Sequence, residues 1–153
     1  MIMGKKRPQA PKRCPSRKEV EKILEADNEH ELFLVGHVCI ERMLDKILEK
    51  KFGIPFELEE PVFMWRQKYL ILKESGTLVD EVKGNVKRID EIRGRYAHRL
   101  NPNEQYIRSL INKLVIIDAP AGAESRARAG TKFERYRVCV ISTFSALEKV
   151  LRS

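Results

Sequence analysis

Apolar residues recur along this chain at the three- and four-residue spacing of helices, and no segment alternates as a half-buried strand requires. Ser16 and Glu19 form an S-x-x-E capping box, which predicts a short first helix through Val20, Ile23 and Leu24. A second helix is predicted over Glu31–Lys51, with Leu32, Val35, Cys39, Met43, Leu44, Ile47 and Leu48 at helical spacing. Phe33, Leu34, Val38 and Ile40 widen its apolar face, as expected of a central buried helix, and Gly53 ends it after a Lys-rich last turn.

A linker with Pro55 and Pro61 leads to a third helix near Val62–Glu74, closed by Gly76. The fourth runs from about Leu78 to Leu100 and stops before Asn101-Pro102, since proline disfavours helix at the residue before it. The fifth is predicted over Glu104–Ile117. Residues 118–130, rich in Ala and Gly, read as a mobile loop. The last helix, Lys132–Leu151, carries Phe133, Val140, Phe144, Leu147 and Leu151 on one stripe. No repeat of 20–50 residues is visible. The expected fold is an all-α, single-domain bundle of five to six helices over residues 16–153.

The fourth helix breaks its own pattern. Val82, Val86 and Ile89 continue at heptad-like spacing to position 93, then to Tyr96 and Leu100, and position 93 is Arg. A guanidinium on a core-facing seam must be paired or must face a cleft or interface, because an unpaired buried charge costs several kcal/mol. Glu91, Arg95 and His98 follow on an adjacent face, at spacings of four and seven residues. His98 stands at the helix C-terminal end, where the macrodipole favours its protonated form, and Glu91 is placed to orient the imidazole or to pair with Arg95. Packing offers another reading of the same residues. Arg93 would then bridge to Glu41 or Asp45 on the long helix, and His98 would bond a last-turn carbonyl.

Ile92-Arg93-Gly94-Arg95-Tyr96-Ala97-His98 resembles the Arg-x4-His signature of the HEPN superfamily. It is most similar to the mannitol operon repressor-like branch, whose helix carries Ile-Arg-Asn-x-aromatic-Ala-His. The Leu34–Leu48 segment is similar to that branch's long second helix. Phe63, Lys68, Leu70 and Leu72 before Gly76 resemble its third, and Phe133–Leu151 its last. Outside the motif the likeness is one of apolar pattern.

The resemblance implies a helical domain paired through its motif-bearing face. Active members cleave RNA without a metal or other cofactor, two motifs meeting across the dimer. Arg93 and His98 would be the catalytic pair, with Glu91, Arg95 and Tyr96 supporting them. The implied setting is a toxin or defence component with RNA as substrate and a cognate antitoxin or regulatory protein as partner. Inactive members of the family imply other readings: a transcriptional regulator binding DNA or protein, or a helical interaction module. One position departs from the pattern of nuclease members, which commonly carry Asn, Asp or His where this chain has Gly94. A mid-helix glycine costs about 1 kcal/mol relative to alanine, and it marks a candidate close approach at a dimer interface.

Charge adds one feature. The 153 residues carry 30 Lys+Arg against 22 Asp+Glu, a formal +8. Residues 1–18 hold Lys5, Lys6, Arg7, Lys12, Arg13, Arg17 and Lys18 and no acid, so the rest of the chain is nearly neutral. Residues 1–15 therefore read as a mobile basic tail suited to phosphate contacts without sequence preference. Lys5, Lys6, Arg7, Lys12 and Arg13, with Arg126 and Arg128 in the late loop, are the candidate nucleic-acid-binding residues. Cys14, Cys39 and Cys139 are isolated, which argues against a zinc ribbon and a disulfide framework and fits a reducing cytoplasm. No apolar stretch approaches 18 residues, so neither a spanning helix nor an export signal is expected.

The remaining candidates read as structure. His30 and His37 share a helix face with Glu41, but a seven-residue spacing without a fourth ligand suits polar surface or interhelical hydrogen bonding better than a metal. Trp65 and Tyr69 could stack bases, yet beside Phe63 and Met64 they are expected in the core.

Overall fold

The structure, a computed structural model, describes residues 21, 23–55, 63–98, 104–117 and 131–153, with the side chains of Ala97, His98 and Lys132 outside that description. Most of the described residues are helical, with no strand among them: α1 (helical at Glu21 and Ile23–Glu25), α2 (Glu29–Phe52), α3 (Trp65–Glu74), α4 (Asp80–His98), α5 (Glu104–Asn112) and α6 (Lys132–Arg152). None of these helices is long and apolar enough to cross a membrane. The all-α single-domain reading holds.

Helix ends follow local chemistry. Asn28 caps α2, its Oδ1 accepting from the Glu31 N–H at 2.8 Å, while the Glu31 carboxylate accepts from Asp27 N–H at 3.2 Å. At the other end Gly53 takes a left-handed φ of 64° and its N–H returns to the Glu49 carbonyl at 2.9 Å. Gly76, at φ 71°, turns the chain out of α3 in the same way. Thr131 caps α6 by accepting from the Glu134 N–H at 3.2 Å.

α2 is the central helix, packed against α3, α4 and α6. Its Leu32, Phe33, Ile40, Met43, Leu44, Ile47 and Leu48 are buried together with Val86, Ile89 and Ile92 of α4 and Val140, Phe144 and Leu147 of α6. Each such side chain contributes roughly 1.5–3 kcal/mol on burial. α2 and α6 come close at Gly36, where an added Cβ would lie 2.7 Å from Val140 Cγ1.

Two boundaries differ from those predicted. α3 begins at Trp65 rather than near Val62, with the Met64 N–H capped by Gln67 Oε1 at 2.8 Å. α5 ends at Asn112, and residues 114–117 leave the helix. Val115, Ile116 and Ile117 are β-branched and poor helix formers, and side chains from other helices hold their backbone instead. Asn85 pairs with both backbone groups of Val115, Ser142 accepts from the Ile117 N–H at 3.1 Å, and the Arg135 guanidinium donates to the carbonyls of Ile111 and Leu114.

Candidate functional site

α4 positions the motif. Its buried stripe runs Val82, Asn85, Val86, Ile89 and Ile92. The expected seam through position 93 is corrected: Ile92 fills the core and Arg93 is half-buried at the stripe's edge. Past Ile89 α4 turns the side that carries Ile92 and Tyr96 toward α2, Tyr96 packing on Phe33, and this leaves Arg93 at the edge. Asn85, fully buried, is the polar residue that interrupts the stripe. Leu100 lies outside the described residues.

The acids suggested as partners for Arg93 are engaged elsewhere. Lys68 of α3 bridges Asp45 at 2.8 Å and Glu41 at 3.1 Å, so the ion pair with the long helix is made by Lys68, not Arg93. On α4 itself, Asp90 accepts from His37 Nε2 at 2.9 Å, and the His37 ring stacks on Trp65 with centroids 4.1 Å apart. That is the interhelical hydrogen bond expected of the histidine. Trp65 and Tyr69 are half-buried against the core. Among the described residues Arg93 has no hydrogen bond or ion pair, and no three His, Cys, Asp or Glu side chains converge as a metal site needs.

The supporting residues divide between two sides of α4. Tyr96 turns inward, its ring 4.6 Å from Phe33 and 5.6 Å from His30, and its hydroxyl donates to Glu29 Oε2 at 3.5 Å. Burial, then the adjacent Glu29 carboxylate, pushes the Tyr96 phenol above its ordinary pKa of 10.0. Glu91 and Arg95 face α5 instead. Glu91 accepts from the Tyr106 hydroxyl at 2.5 Å, and the Arg95 guanidinium lies 4.4 Å above the Tyr106 ring. Glu91 therefore pairs with a phenol and not directly with Arg95 or an imidazole among the described groups. Its carboxylate, by accepting that proton, is the first cause of the raised Tyr106 pKa.

His98 ends α4 as the last residue of its backbone, and its side chain lies outside the described residues. Lys5, Lys6, Arg7, Lys12 and Arg13, and Arg126 and Arg128, also lie outside them. The Tyr106 contribution escaped the sequence reading. The available signal was the short Pro-containing break in the sequence between two helical segments, a pattern that suits neighbouring helices, and α5 does pack against α4 with residue 106 beside residues 91–95.

Comparison with protein-family models, with curated proteins and with solved structures finds no match to this chain.

Proposed function

We propose that the chain is a metal-independent endoribonuclease of the HEPN type, acting as a homodimer on RNA, with Arg93 and His98 as the catalytic pair. The observation that carries this reading is the uncommitted guanidinium. Arg93 is half-buried beside the core without a partner among the described residues, while Glu41, Asp45, Asp90, Glu91 and Glu29 all accept bonds from other side chains. A partly desolvated cation so placed is an attractive site for an incoming anion.

The reaction is transesterification. His98 of one subunit takes the proton of a ribose 2′-OH as its oxygen attacks the adjacent phosphorus. His98 of the other subunit protonates the departing 5′-oxygen, leaving a 2′,3′-cyclic phosphate and a 5′-hydroxyl. Each proton transfer contributes roughly 10²–10⁴-fold. Arg93 stabilises the charge on the phosphorane, where a planar fork of donors suits the equatorial oxygens better than an ammonium does.

The test is cleavage of an RNA panel in EDTA. Wild type is expected to cleave, and His98→Ala to lose activity with an unchanged circular-dichroism spectrum. Intact RNA across the panel would remove the enzyme reading.

A second reading, a non-catalytic regulator or helical interaction module, is favoured by Leu34 and Val38. They lie one turn apart on α2 and are 42% and 43% exposed. For a DNA-binding regulator, duplex binding must weaken as salt rises. For an interaction module, Arg93→Ala changes the self-association constant alone.

A further inference from the structure

We infer that the outward face of α4 around Gly94 docks single-stranded RNA, with Arg95 and Tyr106 forming a platform for one unpaired base. The ribonuclease reading supplies the identity of the strand; the docking face itself is argued from the surface of α4 and α5.

Gly94 lies inside α4, yet a Cβ built there meets nothing within 4 Å. Gly36 shows what a packing glycine looks like in this fold, with Val140 filling the space at once. Gly94 therefore weakens its helix without admitting any described neighbour. The position suits close approach by something outside the chain.

The chemistry around it is cationic. The acids Asp80 and Glu81 stand in the first turn of α4, where Lys83 pairs with Asp80 at 3.0 Å; from Val86 to His98 the helix carries Lys87, Arg88, Arg93 and Arg95 against Asp90 and Glu91. Both carboxylates already accept hydrogen bonds, from His37 and Tyr106. At 100° per residue, Lys87, Glu91, Gly94 and position 98 share one face with Arg95 at its border. Lys87 and Arg95 stand about 12 Å apart along the axis, at 1.5 Å per residue. Arg88 lies back across Gly84, its Nη1 3.0 Å from where a Cβ would be, and extends the charge toward the helix start.

Tyr106 supplies the base contact. The residue is 37% exposed, its hydroxyl is fixed by Glu91, and the Arg95 guanidinium lies over its ring. The stack is preformed, so little side-chain freedom is lost when a base joins it. Guanidinium planes and aromatic rings accept unpaired bases, whereas an A-form duplex keeps its bases stacked inside. The face therefore selects single strands.

The test is fluorescence anisotropy of the full chain with a labelled single-stranded 2′-O-methyl oligoribonucleotide, which lacks the attacking hydroxyl and reads binding alone. Tyr106→Ala and Arg95→Ala are each expected to weaken binding by about 10-fold, the scale of one lost stacking contact. Lys87→Ala is expected to lower the slope of log affinity against log salt by about 0.7, as one phosphate contact to a single strand requires. Gly94→Leu is expected to raise the thermal midpoint and weaken binding at least as much as Tyr106→Ala. Lys73→Ala, an equal charge change at the end of α3, is expected to leave affinity unchanged.

Three results would each overturn the inference: wild-type affinity in Gly94→Leu or Tyr106→Ala, duplex RNA of the same sequence binding as tightly as the single strand, or no binding at low salt. A wild type that binds this oligonucleotide with these variant effects and cleaves no unmodified RNA removes the ribonuclease reading and leaves the docking face standing.

Discussion

Asn85 reads the backbone of Val115 from both sides: its Oδ1 accepts from the Val115 N–H at 3.0 Å while its Nδ2 donates to the Val115 carbonyl at 2.7 Å. The second Nδ2 proton goes to Thr143 Oγ1 at 2.9 Å, and Thr143 donates in turn to the Cys139 carbonyl at 2.7 Å. One fully buried amide thus ties α4, the segment after α5, and α6 together. Asn85→Ala removes the partners of two backbone groups at once, and unsatisfied polar groups cost about 1–3 kcal/mol each. The expected loss is roughly 2–4 kcal/mol, read from the urea midpoint at constant slope.

The glycines of α2 and α4 predict effects of opposite sign. Gly36→Ala drives a methyl to 2.7 Å from Val140 Cγ1 across the contact between α2 and α6, and overpacking of this kind costs about 1–3 kcal/mol. Gly94→Ala meets no neighbour within 4 Å and gains helix propensity, so it is expected to stabilise by about 0.5–1 kcal/mol. Parallel thermal melts check both. Equal destabilisation by the two substitutions would mean that Gly94 also packs against something within the folded chain.

These contrasts show what the sequence could and could not convey. The long helices were legible because their apolar faces repeat with the helical period, and those of α2 and α3 end at Gly53 and Gly76. The end of α5 was not, because Leu114–Ile117 is apolar throughout and periodicity cannot separate a helix from a strap held by side chains. The half-buried setting of Arg93 was not legible, because which side of α4 turns inward past Ile89 is set by the packing of Tyr96 on Phe33 of another helix. The partnerships Lys68–Asp45, His37–Asp90 and Glu91–Tyr106 join different helices. Spacing along one helix carries no information about such pairs.

Alkaline pH is expected to unfold the protein cooperatively. Burial holds the Tyr136 phenol well above its ordinary value of 10.0, and its hydroxyl has no hydrogen-bond partner among the described residues. Tyr96 is raised by burial and by Glu29. For Lys68, burial lowers the ammonium pKa, but Asp45 and Glu41 outweigh it and leave the net shift upward from 10.5. All three groups hold their protons more tightly when folded, so their stabilisation is complete below the unfolded values near 10 and is lost as pH rises through the folded ones. Absorbance of tyrosinate and helical ellipticity should therefore change together above pH 10. Tyr136→Phe removes an unpaired buried hydroxyl and is expected to raise stability by about 1 kcal/mol.

Lys68 and Arg93 are expected to differ sharply when truncated, although both are cations beside the same core. Arg93→Ala breaks no bond to a described group and should cost less than about 1 kcal/mol, the packing of its stem. Lys68→Met leaves Glu41 and Asp45 facing each other without their cation. Burial already pushes the Asp45 carboxyl above 3.8, and Lys68 is what holds it down. Without Lys68 the Asp45 pKa rises further, so the folded variant takes up a proton more readily than the unfolded chain. Its deficit against wild type is then small at pH 4 and grows as pH rises toward 7. Glu41 is 36% exposed and screened by solvent, so the expected deficit at pH 7 is only about 1–2 kcal/mol. Urea unfolding of both variants at the two pH values checks this. A deficit in Lys68→Met that does not change with pH would mean that the lysine acts through its apolar stem, and a comparable loss in Arg93→Ala would mean that its guanidinium is committed within the fold.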